Sequence, residues 1–393
     1  MRIGFQIEHL DPFRGGAETY VHRLARDLLA DGHEVHLFAA VFEDEPEGAI
    51  LHHVLPRGLT RPERDIRFAR AVAKATRRAG LDVAVAVGRT FGASVLHPHG
   101  GTLAGSRRQN RRLVRPPWLA GLKQASDVLN PRIQAQAWIE RQQYQADPPP
   151  DVVAISRMVR RDMQAYHGVP DERLHLVYNG VDTGRFSPAA REAVREEARR
   201  AWGVAPEETC FLMVAHNPRL KGLHELLAAA ARLGRGEPWR IVVVGRARPR
   251  RYMEQAERLG IGDRLLWRGP MDDILPAYAA CDAYVQPTWY DPCSLVVLEA
   301  LACGRPVVTT RFNGASELME DGRDGVVLDS PDETDRLADA LRRLRDEDLR
   351  RRMGEAGREV AEQHPIERNF REMMAVFETA AARKEAIGHG LSE

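Results

Sequence analysis

Short apolar runs alternate with amphipathic stretches along the whole chain. Residues 3–7 form an apolar run of strand length, and residues 17–30 carry an apolar stripe at the spacing of a helix. Because helical patterns separate the apolar runs, the chain predicts parallel sheets that are covered by helices on both faces. Similar strand-like runs recur at 35–38, 83–87, 94–96, 152–155, 174–178, 211–215, 241–244, 265–267, 284–286, 307–309 and 326–328.

A cluster of turn-forming residues at 179–188 interrupts this alternation, which then restarts. The pattern therefore predicts an α/β protein with two doubly wound domains, residues 1–180 and residues 181–366. A last helical stretch, at about 367–387, follows the second domain, and we expect it to pack back on the first. Ligands of doubly wound sheets bind beyond the carboxyl ends of the strands, so we expect the site in a cleft between the domains.

Composition narrows the range of partners. The 57 lysines and arginines nearly balance the 56 aspartates and glutamates, so we expect no general attraction to nucleic acid. No apolar run approaches the length of about 18 residues that spans a membrane, and the first residues lack the apolar stretch of a secretory signal. The four cysteines have no C-x-x-C spacing, which favours small buried residues in a reduced, cytoplasmic protein.

The strongest chemical signal lies at 284–301, which reads as a strand, a loop and a helix. Asp291 falls in the loop, and the helix is predicted to begin near Pro292, because proline is tolerated at the first helical position. A helix N-terminus offers free N–H groups and a positive dipole end to a phosphate. Glu299, about two turns further along, can accept two hydrogen bonds from a vicinal diol.

This stretch resembles the E-x7-E motif of the family 4 glycosyltransferases, whose usual form is E-P-F-G-x-x-x-L-E-A. The resemblance implies the GT-B fold, in which two Rossmann-like domains face each other across a cleft. It assigns the donor ribose to Glu299 and the transferred sugar to Asp291, with Cys293, Ser294 and Leu295 beside the donor. Asp291 is one methylene shorter than the usual glutamate and Cys293-Ser294 replace Phe-Gly, so the donor sugar stays open. Two unrelated surface acids are the alternative.

Upstream, Arg219 and Lys221 follow the predicted strand at 211–215 and precede Gly222. The resemblance assigns the donor diphosphate to an arginine and a lysine before this glycine, and Arg219 is offset from the usual arrangement. Such cations stabilise the negative charge that develops on the leaving phosphate. Solvated side chains at a helix start are the alternative for both.

Two segments further along also resemble the family. Arg268 and Gly269 match the place of the nucleobase, and residues 313–317 match a turn-to-helix segment near the donor. The pair Asp272-Asp273 could suggest a metal site, but acidic residues are favourable at a predicted helix start. We therefore expect no metal and no cofactor beyond the nucleotide-sugar substrate.

In the first domain, Gly15 and Gly16 resemble the G-G-x-E loop of the family, where small residues let backbone amides approach the diphosphate or the acceptor. This loop is not the G-x-G-x-x-G fingerprint of dinucleotide-binding domains, which disfavours a dehydrogenase. Glu18 suits an acceptor contact or the first turn of a helix. His99, preferred over His97, matches a histidine near the reacting centre, although a lone histidine is often structural.

Residues 107–123 contain six basic and no acidic side chains, interleaved with apolar ones. This composition is typical of segments that bind anionic membrane surfaces, where each cation contributes on the order of 1 kcal/mol. A solvated basic loop is the alternative. The basic residues are Arg107, Arg108, Arg111, Arg112, Arg115 and Lys123, and the apolar ones are Trp118, Leu119 and Leu122.

Within family 4, the basic insertion and the run at 244–250 make the chain most similar to the lipopolysaccharide core glucosyltransferases. The resemblance implies a retaining, metal-independent transfer of a hexose, glucose from UDP-glucose, to a saccharide or lipid-linked acceptor at the inner face of the cytoplasmic membrane. GDP-mannose and UDP-N-acetylglucosamine are alternative donors. A sugar-nucleotide epimerase of the same shape and a non-catalytic nucleotide-sugar-binding protein are alternative functions.

Overall fold

A computed structural model describes residues 1–12, 15–114, 118–234, 236 and 238–390. The chain divides into two compact units. The first unit comprises Met1–Val177 and Asn369–Glu393, and the second comprises Tyr178–Arg368. Each unit contains one large parallel sheet with helices, which confirms the predicted α/β class.

The sheet of the first unit has the strand order β5-β3-β1-β6-β7-β8-β9, and its pairings are parallel. The order reverses at β1, which pairs with β3 on one side and with β6 on the other. Two short strands, β2 and β4, form a separate pair. The strands are β1 (Arg2–Gln6), β2 (His9–Leu10), β3 (Glu34–Ala39), β4 (Val41–Phe42), β5 (Ile50–His53), β6 (Val83–Ala86), β7 (Val95–Leu96), β8 (Asp151–Ala154) and β9 (Leu174–Leu176).

Side-chain caps mark the start of several helices in the first unit. The hydroxyl of Thr60 caps the second helix by accepting from the N–H of Glu63, and Gly80 ends that helix with a positive φ of 61°. The helices are α1 (Gly16–Ala30), α2 (Arg61–Ala79), α3 (Leu103–Arg112), α4 (Leu119–Leu129), α5 (Pro131–Tyr144) and α6 (Arg157–His167).

The sheet of the second unit has the order β12-β11-β10-β13-β14-β15, again with parallel pairings. Its order reverses between β10 and β13, which is the switch point where ligands of such sheets bind. The strands are β10 (Thr209–Val214), β11 (Trp239–Val244), β12 (Leu265–Gly269), β13 (Ala283–Val285), β14 (Val307–Thr310) and β15 (Gly325–Leu328).

Between β10 and β14 an α-helix connects each pair of successive strands, as parallel pairing requires. A short 3₁₀ helix at Gly314–Leu318 follows β14, which agrees with the turn-to-helix segment predicted at 313–317. The α-helices are α7 (Pro188–Trp202), α8 (Leu223–Ala230), α9 (Arg250–Arg258), α10 (Leu275–Ala280), α11 (Leu295–Ala302), α12 (Thr334–Arg343) and α13 (Glu347–Glu362). The last helix, α14 (Ile366–Gly390), belongs to the first unit from Asn369 onward.

Both faces of the second sheet are buried. Phe211 and Met213 on β10 pack into one core with Leu226 and Leu341 from the helices, while Leu212, which points to the other face, is also 1% exposed. Burial of one such side chain contributes about 1.5–3 kcal/mol, so the near-continuous apolar strands stabilise a covered parallel sheet.

The four cysteines are buried free thiols, as the sequence predicts for small core residues. The sulfur atoms of Cys210, on β10, and Cys281, which follows α10, lie 3.2 Å apart. Among the helices of the described residues, none is long and apolar enough to cross a bilayer.

Candidate active site

Lys221 and Asp291 form an ion pair at the switch point of the second sheet. Lys221 ends the loop that follows β10, and Asp291 lies in the loop that follows β13. The side chain of Asp291 is 9% exposed and that of Lys221 is 21% exposed, so solvent screens the pair weakly. The structure therefore brings together two residues that separate segments of the sequence predict to be functional.

Gln286 holds the carboxylate of Asp291 from the other side. Its amide Nε2 donates to Asp291 Oδ2 over 2.9 Å, and its own Oε1 accepts from the hydroxyls of Tyr284 and Ser294. Gln286 is completely buried. Sequence reasoning missed this residue, although a polar side chain at the end of the apolar run 284–286 is a usable signal.

The helix predicted to begin near Pro292 begins at Leu295 instead. A backbone bridge to the neighbouring loop explains the difference, because Asp291 N–H donates to Phe312 O and Gly314 N–H donates to Asp291 O, each over 2.8 Å. These bonds hold Asp291 in an extended conformation, so Pro292 and Cys293 stay in the loop. Leu295 is thus the first helical residue, with its N–H at the α11 N-terminus.

Ser294 and Cys293 form the junction between this loop and α11. The Ser294 N–H donates to Asn313 Oδ1 over 3.2 Å, and the Cys293 carbonyl accepts from Asn179 Nδ2 over 2.8 Å. Burial raises the pKa of the Cys293 thiol to about 12, so it is a neutral thiol at physiological pH. Both residues therefore shape the loop through buried contacts.

Glu299 lies on α11, one turn after its first residue. Its Oε2 accepts from the hydroxyl of Tyr278 over 2.8 Å, and that hydroxyl also lies 3.2 Å from the Val296 carbonyl. Burial, together with the charge of Glu299, raises the pKa of Tyr278 well above its ordinary value. Tyr278 therefore stays protonated and holds the Glu299 carboxylate in one orientation.

The loops that carry Lys221 and Asp291 are fastened to each other. The Leu220 carbonyl accepts from the Trp289 N–H over 2.8 Å and from the Thr288 hydroxyl over 3.0 Å. Gly222 has a φ of 83°, and a Cβ there would lie 2.0 Å from the Pro287 carbonyl oxygen. A glycine is required at this close approach, which sets the position of Lys221 beside it.

Further cations surround the Lys221 loop. Arg219, which the resemblance places at the diphosphate, is exposed on this loop, and its carbonyl accepts from the Gly222 N–H. Partial burial, followed by the charges of Arg246 and Lys221, lowers the pKa of His216. Arg246 was not selected from the sequence, although it lies two residues after β11, the strand next to β10.

Arg268 and Gly269 are the last two residues of β12, at the edge of the sheet. The register shifts there, because Val243 pairs with Trp267 while Val244 pairs with Gly269. Arg268 is therefore the extra residue of a bulge, and its guanidinium lies 5.2 Å from the Trp202 ring centroid. The Gly269 carbonyl accepts from the Gly245 N–H over 2.8 Å.

Asp273 behaves as a helix-start acid. Its Oδ1 accepts from the Leu275 N–H over 3.2 Å, at the first residue of α10, and from Arg185 over 2.9 Å. Among the residues that the structure describes, no group of three or more His, Cys, Asp or Glu side chains is arranged to hold a metal ion.

In the first unit, His99 belongs to a buried aromatic cluster. The Tyr20 ring centroid lies 4.5 Å from that of His99 and 4.9 Å from that of His97. Burial, followed by the charge of Arg23, lowers the pKa of His99 to about 3, so its imidazole is neutral at physiological pH. The Tyr20 hydroxyl donates to Asn369 Oδ1 over 3.0 Å.

Gly15 and Gly16 lie at the start of α1, the helix that carries Tyr20. Gly15 is the N-cap, with its backbone extended, and its carbonyl accepts from the Thr19 N–H over 3.0 Å. Glu18 is an acid in the first turn of this helix. The N-terminus of α1 offers free N–H groups to a ligand, while Glu18 already places a negative charge beside them.

The basic segment folds as α3 and α4, while Arg115 lies outside the described residues. Arg107 and Lys123 both pair with the buried Asp127, Arg107 over 3.5 Å. Trp118 and Leu122 are 71% and 62% exposed. Part of the basic charge is therefore compensated, and the apolar side chains face solvent.

Two family models match successive parts of the sequence. The model described as Glycosyltransferase Family 4 matches residues 14–185, and the model described as Glycosyl transferases group 1 matches residues 194–360. D-inositol 3-phosphate glycosyltransferase from Corynebacterium kroppenstedtii is 32% identical over 243 residues, which are 58% of this chain and 53% of that protein. The chain spans about half the length of the curated relatives it matches.

Solved structures share the fold at low sequence identity. WaaG, a glycosyltransferase involved in lipopolysaccharide biosynthesis, has a TM-score of 0.81 and 22% identity, over 96% of this chain and 98% of that one. Anabaena Alr3699/HepE, solved in complex with UDP and glucose, has a TM-score of 0.71 and 21% identity, over 96% of this chain and 100% of that one. These likenesses confirm the predicted GT-B fold with two Rossmann-like domains.

Proposed function

Because the chain belongs to the family 4 glycosyltransferases, we propose that it is a retaining, metal-independent hexosyltransferase. The proposed reaction transfers glucose from UDP-glucose to a saccharide or lipid-linked glycan, such as a lipopolysaccharide core. The observation that carries this proposal is the Lys221–Asp291 pair at the switch point of the second sheet.

The Lys221–Asp291 pair can contact both parts of a glycosyl donor, the diphosphate and the transferred sugar. An ammonium group has three donors, so Lys221 can contact Asp291 and a phosphate oxygen together. In the transition state the negative charge grows on the leaving diphosphate, and a fixed cation stabilises it most at that moment. Asp291 holds the ammonium in place and contacts the hydroxyls of the transferred sugar.

The remaining donor contacts follow the carboxyl edge of the sheet. In this proposal Glu299, oriented by Tyr278, accepts from the two ribose hydroxyls. The nucleobase lies toward Arg268 and Gly269 on β12, two strands from β10 and hence about 10 Å away at the usual strand spacing. Gly15 and Gly16, with the N-terminus of α1, contact the diphosphate or the acceptor, and neutral His99 contacts the transferred sugar.

The choice of glucose and of the acceptor rests on similarity. HepE, which shares the fold, was solved with UDP and glucose, and WaaG acts in lipopolysaccharide biosynthesis. The curated relatives carry the name D-inositol 3-phosphate glycosyltransferase, which makes a phosphorylated cyclitol a second candidate acceptor. A thermal-shift panel of UDP-, GDP- and ADP-sugars tests the donor, because selective binding raises the melting temperature.

We further propose that the protein works in the cytoplasm, with α3 and α4 against an anionic membrane surface. Trp118, Leu122 and Leu129 lie within about 60° of one another on the helix, since their spacings of four and seven residues are helical repeats. Leu129 is 81% exposed. Arg108 and Arg112 are exposed on the neighbouring α3, so cations accompany this apolar stripe.

One experiment separates transfer from the two alternative functions. Purified protein is incubated with UDP-glucose alone, and the products are followed by NMR. A glycosyltransferase slowly transfers the glucosyl group to water and releases UDP, whereas an epimerase produces a second UDP-sugar. A non-catalytic binding protein leaves UDP-glucose unchanged, which would refute the proposed function.

A further inference from the structure

A pocket of about 250 Å³ lies between α3, α5 and α6 of the first unit. Residues from the first turns of α3 form one wall, and the end of α5 and the last turn of α6 form the others. Its chemistry comes from two arginines, a glutamate and aromatic rings: Arg107, Arg141, Glu140, Tyr144, Tyr166 and His167. None of these residues has a role in the proposed donor site.

The negative charge in the pocket is compensated from within the protein. Glu140 is 6% exposed and accepts from the Leu103 N–H over 2.9 Å, at the first residue of α3. Its carboxylate also lies 3.0 Å from His167 Nε2 and 3.4 Å from Arg89 Nε. With these three partners the carboxylate does not repel an anionic ligand strongly.

The positive charge is less compensated. Arg141 is exposed, and within the described part of the chain its guanidinium has no carboxylate at ion-pair distance. Arg107 Nε is buried without a hydrogen-bond partner among the described residues, while another nitrogen of this guanidinium pairs with Asp127 over 3.5 Å. A buried donor without a partner costs free energy, and an anionic ligand would satisfy it.

Flat rings supply an apolar surface beside these cations. The rings of Tyr144 and His167 are stacked, with centroids 3.9 Å apart and planes within 8°. Tyr166 is 41% exposed at the pocket, which is high for an aromatic side chain. Aromatic faces pack well against the carbon-bound hydrogens of a ring-shaped ligand, while cations fix its charged substituent.

We propose that this pocket binds a single sugar unit that carries a phosphate or a carboxylate. The volume admits one ring, the aromatic side chains contact its face, and Arg107 and Arg141 contact its anionic substituent. The pocket also borders the start of α3, which Thr102 caps three residues after His99 by accepting from the Gly105 N–H over 3.0 Å. Binding at this pocket does not depend on the proposed transfer reaction.

Isothermal titration with glucose 6-phosphate tests this proposal. We expect glucose 6-phosphate to bind at least tenfold more tightly than glucose or inorganic phosphate. Glucose lacks the anionic group, and inorganic phosphate lacks the sugar ring. UDP at saturating concentration should not displace glucose 6-phosphate. Displacement by UDP, or equal binding of inorganic phosphate, would overturn the proposed site.

Variants locate the binding. Arg141→Gln and Tyr166→Ala remove exposed side chains and should each weaken binding about tenfold without loss of folding. Arg77→Gln is the matched control, since Arg77 is exposed on α2 and does not line the pocket. Equal affinity in all three variants, or no binding of glucose 6-phosphate to the wild type, would contradict the proposal. The UDP-glucose assay tests the donor site separately.

Discussion

One carboxylate oxygen of Asp291 is shared by the Lys221 ammonium and by the Gln286 amide, the latter over 2.9 Å. Lys221 comes from the loop after β10, whereas Gln286 and Asp291 come from the loop after β13. Contacts between the two loops therefore orient these side chains. The candidate site therefore depends on a buried residue, Gln286, that lies outside the E-x7-E motif.

Gln286→Leu tests whether this amide positions Asp291. We expect kcat to fall about tenfold with KM changed less, because Asp291 loses a donor and turns from its working orientation. Gln286→Glu replaces the donating amide with a like charge beside Asp291, so we expect kcat to fall further than in Gln286→Leu.

The matched control is Thr309→Val. It removes a buried 3.0 Å hydrogen bond to the Gln286 carbonyl and a 3.1 Å bond from Asn313, but leaves the contact between Gln286 and Asp291 in place. A purely structural role for Gln286 predicts that all three variants lose stability and that Thr309→Val lowers kcat as much as the Gln286 variants do. That outcome would refute positioning.

Glu299→Gln should raise the Kd of the donor more than it lowers kcat. The carboxylate accepts hydrogen bonds from ribose hydroxyls in both the ground state and the transition state, so its loss weakens binding uniformly. We expect about a tenfold increase in KM for UDP-glucose. Tyr278→Phe, which removes the 2.8 Å bond to Glu299, should give a smaller increase in the same direction. An unchanged KM in Glu299→Gln would exclude the ribose role.

The buried His99 predicts a loss of stability on acidification. Its pKa is lowered to about 3 in the folded protein, below the ordinary value of 6.5, so the unfolded chain binds the proton more tightly. The contribution of neutral His99 to the free energy of unfolding is therefore fully present above pH 6.5, and it decreases as the pH falls from 6.5 toward 3. Between pH 7 and pH 5 this one residue contributes a decrease of about 2 kcal/mol.

Urea unfolding at pH 7 and pH 5 measures this effect. In His99→Leu the decrease between the two pH values should be about 2 kcal/mol smaller than in the wild type, because leucine binds no proton. An equal decrease in both proteins would mean that His99 is not held neutral by burial. Because the imidazole is neutral over this range, the pH–rate profile near neutrality should not report its titration.

Vesicle co-sedimentation tests the membrane surface on α3 and α4. Trp118→Ala with Leu122→Ala should reduce binding to vesicles that contain anionic lipid, since both side chains are exposed apolar residues. Arg108→Glu with Arg112→Glu should reduce it further at low salt. Leu59→Ala is the control, because Leu59 is 94% exposed on another part of the first unit. Unchanged binding in both double variants would refute the membrane role.

The fold was largely predictable because its signals are local. Near-continuous apolar runs such as that of β10 identify buried parallel strands, and turn residues at 179–188 separate the two sets. The start of α11 was predicted wrongly, since the bridge between Asp291 and Asn313 joins residues from different loops. The apolar pattern within 284–301 does not indicate a backbone contact with another loop.

Chemistry and motif coincide at Lys221, Asp291 and Glu299, and the roles of these residues in the candidate site stay predictions. Gln286 and Tyr278 were missed because each acts through another side chain and lies in an otherwise apolar segment. Arg246 was missed because its position matters only once β11 is placed next to β10. Residues of this kind can be identified only once the order of the strands in the sheet is known, and apolar patterns do not specify that order.

The most direct test of the central claim follows UDP-glucose by NMR with wild-type protein and Lys221→Met in the presence of EDTA. Wild-type protein should release UDP and, before mutarotation, glucose as the α-anomer, because retention keeps the configuration of the donor. Lys221→Met should be slower by about 10²–10³-fold, as expected for loss of a group that stabilises the leaving charge. Release of the β-anomer, dependence on added metal, or equal rates in the two proteins would contradict the account.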